Sequence, residues 1–332
     1  MIVLSDKEVG ELLPMAEAIE MVASAMIAVS AGAANLPLRS VVDVGPPNFM
    51  GVMPGAFMPG NGQLDACFGV KLVSLFPNNP DAGFSSHQGA VVLFEPEHGS
   101  AIAMMNAGLL TAIRTAAASA VATRALARED CTTLAMVGAG EQAEYHLDAM
   151  LAVRPGIKEL RIAGRRRDKA EAFAAHAAAR YPHLQITIAD DVRTAVDGAD
   201  IVCTVTSSAE PVLMGDWIGP GTHLNVVGAS IPSKREIDEE MVARARLYVD
   251  YRPSTFAQAG EVIRAIESGR IARDHVLGEI GEVLAGKVAG RGAPDEITLY
   301  RSLGIAAQDL ACASFCVSQA RARGLGVEAP LD

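Results

Sequence analysis

The chain has no stretch of about eighteen consecutive apolar residues, although 50% of it is hydrophobic, so a membrane-spanning helix is not expected. Positive charge is scarce. Lys and Arg total 28 against 39 Asp and Glu, a net charge of -11, which argues against nucleic acid as a partner. An anionic substrate would therefore need local cations working against the overall field. Cysteines are few and odd in number: Cys67, Cys131, Cys203, Cys312 and Cys316. Cys312 and Cys316 share a helix face, but no His or Cys cluster accompanies them, so buried thiols in a reducing compartment are expected rather than a metal site. The start, Met-Ile-Val-Leu-Ser-Asp, lacks the basic and apolar regions of a signal peptide, and a cytoplasmic location is expected. No internal repeat stands out.

What is present is sharper. Leu134–Val137 is an apolar run that feeds into Gly138-Ala139-Gly140-Glu141-Gln142-Ala143, and a helix-forming run follows. This is the strand, tight turn and helix start of a dinucleotide site. Gly138 permits the turn, Gly140 lets backbone approach a pyrophosphate, and Ala143 lets the helix pack close to the strand. A Gly-Ala-rich chain produces such a match by chance, so the context decides. Residues 158–163 read as a second strand, 196–206 as a helix end and a third, and 222–228 as another. Apolar strands alternating with Ala-rich helical stretches predict a Rossmann-type, doubly wound parallel sheet. Glu141 and Gln142 in the turn, with Thr115, Thr206, Val227 and Gly228 at neighbouring segment ends, complete the candidate cofactor contacts.

After the second strand, an NAD site usually carries an Asp or Glu for the ribose hydroxyls. Here the chain reads Gly164-Arg165-Arg166-Arg167, and Asp168 comes late. Guanidiniums suit a 2′-phosphate, so NADPH is favoured and NADH stays open. The other reading of these arginines is a solvated basic turn.

The 332 residues suffice for two domains. The N-terminal third shows a capped helix start at Ser5-Asp6 with Glu8, and a helix over Met15–Ala31. Short strands follow around residues 39–44, 68–76, 89–94 and 101–106, an α+β pattern rather than a second doubly wound sheet. Three cations stand out there. Lys71 lies inside an apolar strand, Arg39 opens a strand, and Arg114 interrupts the small apolar stretch 110–118. Each alone reads as a structural ion pair or a surface residue. Together, upstream of a nucleotide fold, they suggest a carboxylate pocket.

Several ordered segments carry a resemblance: Gly69-Val-Lys71, Ser86-His87-Gln88, Leu93-Phe-Glu-Pro96, Leu110-Thr-x-x-Arg-Thr-Ala-Ala117, Val137-Gly-Ala-Gly-x-Gln-Ala143, Val227-Gly-Ala-Ser-x-Pro232, Arg235-Glu236, Gly278-Glu-Ile-Gly-Glu282 and Ser302-Leu-Gly304. The chain resembles the ornithine cyclodeaminase/mu-crystallin family, most closely its ketimine reductase side. The resemblance implies a substrate-binding and dimerisation domain over residues 1–120 and 303–332, with a dinucleotide-binding domain over 121–302 and a homodimer as the assembly. It implies that Arg39, Lys71 and Arg114 hold a substrate α-carboxylate, that Lys71 also serves the substrate nitrogen, and that Arg165, aided by Arg166, holds the adenosine phosphate. Cyclodeaminases carry Asp where this chain has Ser230, and an acidic residue before the Met53-Pro54 pair where this chain has Val52. Both departures point to a simpler reaction. The expected activity is NAD(P)H-dependent reduction of an α-imino acid, either cyclic (Δ1-pyrroline- or Δ1-piperideine-2-carboxylate) or acyclic (iminosuccinate, with His87 or Arg252 for its second carboxylate). Alternatives are ornithine cyclodeamination, an alanine-dehydrogenase-type reaction, and a non-catalytic nucleotide- or ligand-binding protein. A depressed pKa is expected for Lys71 if it faces the nicotinamide pocket.

Overall fold

Strands in the first 117 residues alternate between buried and part-exposed positions, the period-two pattern of a sheet covered on one face. The computed structural model describes residues 1–58 and 64–330, without the side chains of Pro80, Asp81 and His87. The chain divides into two units, Met1–Ala117 with Gly304–Asp332, and Ala118–Leu303. The division falls within the long helix Ala107–Leu126.

The first unit contains β1 (Ile2–Leu4), β2 (Ala34–Asn35), β3 (Ser40–Asp43), β4 (Phe49–Phe57), β5 (Cys67–Leu75), β6 (His87–Phe94), β7 (Ala101–Asn106) and the late strand Val327–Glu328. Its sheet runs Val327–Glu328, β1, β7, β6, β5, β4, β2, with β3 also paired to β4. Only β1 and β7 are parallel. Ser5 begins the first helix with the expected capping box, closed by Glu8. Among the described residues no single helix is long and apolar enough to cross a membrane.

One face of this sheet buries Met53 and Gly55 of β4, Gly69 and Lys71 of β5, and Val91 and Leu93 of β6. The helix Ala306–Arg323 lies across β4, β5 and β6 on this face, and the helix Met15–Ser30 packs on that helix in turn. Close approach depends on missing side chains. Gly55 and Gly69 are register partners. A Cβ on Gly55 would sit 3.0 Å from the Ala306 Cβ, and one on Gly69 would sit 3.0 Å from Leu310 Cδ2 and 2.3 Å from the Val92 carbonyl oxygen. The next residue of β5 on the same face is Lys71, so the glycine pair sets how near the helix comes to that ammonium.

β4 escapes the sequence reading because it contains Pro54 and two glycines. The structure shows why Pro54 is tolerated. β3 pairs with Phe49–Val52 and β2 with Ala56–Phe57, so Pro54 falls in the gap between two short partners, where no ladder N–H is required.

The second unit contains β8 (Thr133–Val137), β9 (Glu159–Ala163), β10 (Gln185–Ile188), β11 (Ile201–Thr204), β12 (His223–Val226), β13 (Arg246–Val249), β14 (Val276–Glu279) and β15 (Thr298–Arg301). They form an all-parallel sheet in the order β10-β9-β8-β11-β12-β15-β13-β14. β8, β11, β12 and β15 are buried at every residue, as expected of strands covered on both faces. The chain steps outward from β8 through β9 to β10, then restarts on the other side at β11. The end of β8 is therefore a topological switch point, where this class of sheet opens a ligand crevice. The doubly wound α/β reading thus holds, beside a mixed-sheet α+β unit.

A methyl at Gly69 must displace the backbone of β6 or lift the helix Ala306–Arg323. Gly69→Ala is expected to cost ~1–3 kcal/mol, as overpacked sites do. Thermal unfolding of the variant beside the parent checks this, and an unchanged melting temperature would refute the close-approach account.

Candidate active site

Lys71 is 2% exposed, Arg114 5% and Asp309 0%. Such burial of charge is tolerated only with partners. Lys71 Nζ donates to Asp309 Oδ1 at 2.9 Å and reaches Thr111 Oγ1 at 3.5 Å. Arg114 Nε donates to the same Asp309 Oδ1 at 2.9 Å, and its NH1 donates to Gln308 Oε1 at 2.8 Å. Arg39 NH2 donates to the Gly304 carbonyl at 3.2 Å. All three expected cations of the first unit are thus held from one short segment, Gly304–Asp309. Gly304 itself has φ +74, and a Cβ there would lie 2.4 Å from Arg114 NH1, so glycine is needed for the backbone and for the arginine alike.

The electrostatics follow from this packing. Burial strips water from the Lys71 ammonium and the Arg114 charge repels it, while Asp309 pulls the other way and Arg39 adds a smaller repulsion. Together they bring its pKa down to about 7. The expectation of a depressed Lys71 therefore holds. Lys71 and Arg114 share the one carboxylate of Asp309, so this pair keeps positive charge for an incoming anion.

Asp309 and Gln308 were missed from sequence. The available signal was the polar pair Gln308-Asp309 in the otherwise apolar stretch Ala306–Ala313, together with the rule that a buried Lys must find a counter-ion. Thr115, a cofactor candidate, is 9% exposed and donates its hydroxyl to the Thr111 carbonyl at 2.6 Å. Its proton is spent inside its own helix.

In the second unit, β8 runs into Gly138 at φ +110. The Gly138 N–H donates to the Ala163 carbonyl at 2.8 Å, and a Cβ would meet the Val205 backbone at 2.8 Å, so this turn accepts only glycine. Gly140 is the N-cap of the helix Glu141–Val153 and offers no side-chain cap. No side chain caps the first turn, although the Ala143 N–H donates to the Gly140 carbonyl at 3.0 Å, and a Cβ at Gly140 would meet nothing within 4 Å. Ala143 is fully buried. Open space above uncapped amides at a helix N-terminus fits a pyrophosphate. Glu141 is exposed and Gln142 half-buried, with Gln142 Oε1 lacking a partner. Ala139 is half-buried beside Gly164.

Beyond β9 the three arginines differ. Arg166 pairs with Asp168 at 2.8 Å and Arg167 with Glu171 at 3.0 Å. Arg165 is exposed and makes no hydrogen bond or ion pair among the described residues. The basic turn therefore keeps one uncommitted guanidinium. Arg252 is occupied by Glu282 at 2.7 Å, so it is not a free cation for a second substrate carboxylate. The His87 side chain lies outside the described residues.

Thr206, Val227 and Gly228 sit where β11 and β12 end, and a residue without an assigned role ties them. Glu236 is fully buried and accepts from the Thr204 hydroxyl at 2.9 Å, the Thr206 N–H at 2.6 Å and the Gly228 N–H at 2.6 Å. Val227 continues the ladder, its N–H donating to the Thr204 carbonyl at 3.0 Å. Ser230 follows in a loop fixed on two sides. Arg301, paired with the buried Glu261, donates to the Ala229 carbonyl, and Gly260 packs against the Pro232 and Lys234 carbonyls. The Ser230 hydroxyl has no hydrogen-bond partner among the described residues, so it does not cap nearby backbone.

Replacing Glu236 by Gln turns an amide N–H₂ toward groups that need acceptors. A loss of ~2–3 kcal/mol in stability is expected, the scale of charge-assisted hydrogen bonds. Dinucleotide affinity should weaken about tenfold as the two strand ends loosen, for every 1.4 kcal/mol transmitted. Fluorescence titration with NADPH and NADH measures this, and unchanged affinity would show that Glu236 serves folding alone.

Residues 1–324 match the ornithine cyclodeaminase/mu-crystallin family. Ketimine reductase mu-crystallin of Mus musculus is 36% identical over 283 residues, 85% of this chain and 84% of that protein. The solved structure of Thermococcus litoralis Δ1-pyrroline-2-carboxylate reductase with NADH and L-proline is 33% identical, covering 99% of this chain and all of that one, with a TM-score of 0.94. An archaeal alanine dehydrogenase dimer with bound NAD is 30% identical over 100% and 99% of the two chains, with a TM-score of 0.92. The chain belongs to the ornithine cyclodeaminase/mu-crystallin family.

Proposed function

We propose that the protein is an NAD(P)H-dependent reductase of α-imino acids, converting a C=N bond next to a carboxylate into the amine of an L-amino acid. The observation that carries this is the buried Lys71–Arg114–Asp309 cluster with Arg39 beside it. It joins fixed guanidinium donors for a carboxylate to a lysine that exchanges its proton near neutrality. Relatives named for imine or amino-acid chemistry support the same reading.

Arg114 and Arg39 would hold the substrate carboxylate through charge-assisted hydrogen bonds. Lys71, as ammonium, would hydrogen-bond the imine nitrogen and deliver the proton it gains, making the carbon more electrophilic. A dinucleotide on the Gly138–Ala143 turn supplies the hydride when bound. A substrate with one carboxylate is favoured, because Arg252 is already committed to Glu282. Cyclodeamination is disfavoured, since the Ser230 hydroxyl is no carboxylate base and Val52 stands before the Met53-Pro54 pair where cyclodeaminases carry an acid. The uncommitted Arg165 supports NADPH as the preferred cofactor, with NADH accepted. We further propose a homodimer through the first unit, where Leu38, Val41, Val42 and Val44 are exposed along β3 and its flanks. Five free, buried thiols suit a reducing, cytoplasmic setting.

Initial rates of NADPH and NADH oxidation with Δ1-pyrroline-2-carboxylate, Δ1-piperideine-2-carboxylate, iminosuccinate and pyruvate plus ammonium test the reading. Turnover of a cyclic imine is expected, and silence with all four would reject it. Lys71→Met should lower kcat/KM by ~10²–10⁴-fold, the scale of a general acid. The sign of the pH effect is fixed. The acid form of Lys71 donates, so kcat/KM for reduction is flat below pH 7 and falls tenfold per unit above it. Arg165→Ala should raise KM for NADPH about tenfold and leave NADH nearly unchanged, as expected for one lost phosphate contact. Equal effects on both cofactors would remove Arg165 from the 2′-phosphate site.

A further inference from the structure

Asp309 makes the only carboxylate contact to either Lys71 or Arg114 among the described residues. It does so with one oxygen, while Oδ2 is buried without a hydrogen-bond partner. An arginine has five N–H bonds and a lysine ammonium three. Asp309 and Gln308 take two from Arg114, and Asp309 and Thr111 take two from Lys71, leaving three and one. The donors that remain are therefore the ones a substrate can use, and Asp309 decides which they are. We propose that Asp309 is a positioning residue for the reduction. By taking one N–H of Lys71 and one of Arg114 on a single oxygen, it fixes where the last ammonium proton and the free guanidinium donors point, and its charge offsets theirs. The proposal rests on the imine-reductase reading.

The groups that face Lys71 are Arg114 and Thr111 from the helix Ala107–Leu126, Asp309 from the helix Ala306–Arg323, and Arg39 ahead of β3. Cys312, one turn beyond Asp309, stays a neutral thiol because burial raises its pKa well above the usual value. Guanidiniums keep their charge throughout the working range. Removing the Asp309 charge therefore leaves Lys71 with repulsion alone, and it should lose its proton at lower pH.

The test compares Asp309→Asn and Asp309→Glu with the parent, on whichever imine the parent reduces, with active sites counted by NADPH fluorescence titration. In Asp309→Asn the alkaline limb of kcat/KM should move acidward by at least about one pH unit. Its kcat per site at pH 7 should fall at least tenfold, while KM stays level or drops because the cluster has gained net positive charge. A purely structural role would lower the number of sites and leave the limb in place, and an unmoved limb overturns the proposal. If Asp309→Asn does not fold, Asp309→Glu decides. It keeps the charge but moves the carboxylate, so the limb should stay and kcat fall at least tenfold, whereas parental kcat overturns the proposal. A parent that reduces no imine fails the reductase reading itself, and the role of Asp309 falls with it.

Discussion

A carboxylate that holds an ammonium and a guanidinium on one buried oxygen is the constraint on which the first unit depends. Desolvating three charged groups is costly, and their mutual attraction offsets that cost only when the geometry is tight. Breaking such a group by removing one member typically costs ~3–5 kcal/mol, because the survivors are left charged and dry. The surrounding structure reads as what keeps the three together. Gly55 and Gly69 bring the helix Ala306–Arg323 down onto the sheet, and Gly304 makes room for Arg114 at the start of that helix. The segment reaches the first unit only after the chain has built the whole of the second. The cation site is thus complete only when residues far apart in sequence, 71, 114 and 309, have met.

The second unit solves a different problem with neutral groups. Its dinucleotide turn offers backbone amides and open space rather than side-chain charge, so what must be controlled is the position of strand ends. Glu236 does this with one carboxylate shared among the ends of β11 and β12. Arg301 does it for the loop that carries Ser230, through the Val226 and Ala229 carbonyls. Buried charge serves geometry in both units, but in the second Glu236 and Arg301 spend it on backbone groups, while in the first Lys71 and Arg114 keep donors to spare.

The parts of this arrangement written in local sequence were legible. Gly138 announces a turn because only glycine tolerates its backbone and surroundings, and Gly140 leaves the helix end beside it open. Lys71 in an apolar strand announces a site because water would otherwise be needed there. Asp309 was not legible in the same way: on its own helix it is one acid among alanines, and its meaning comes from Lys71 and Arg114, about 240 and 195 residues earlier in the chain. β4 was hidden for a related reason. Pro54 and its glycines look like a break until the short β2 and β3 are seen to leave a gap opposite them. The distinction among Arg165, Arg166 and Arg167 is likewise made by the fold, since three adjacent guanidiniums are equivalent until their acidic partners are in place.

Selectivity within this family scaffold then turns on which charges are left over after the protein has satisfied itself. An acidic group just before Met53 would add an anchor for a second amine, and one at position 230 would add a base. Among the described residues the first unit offers one cationic cluster with one titrating lysine, and the second offers, at Ser230, a hydroxyl that cannot serve as a base at neutral pH. That set is matched by a substrate with a single carboxylate and a nitrogen that needs a proton, and it gives a diamine no second anchor. Specificity here follows less from added contacts than from charges withheld, because a polar substrate group left unpaired in a buried site costs more than a lost contact does.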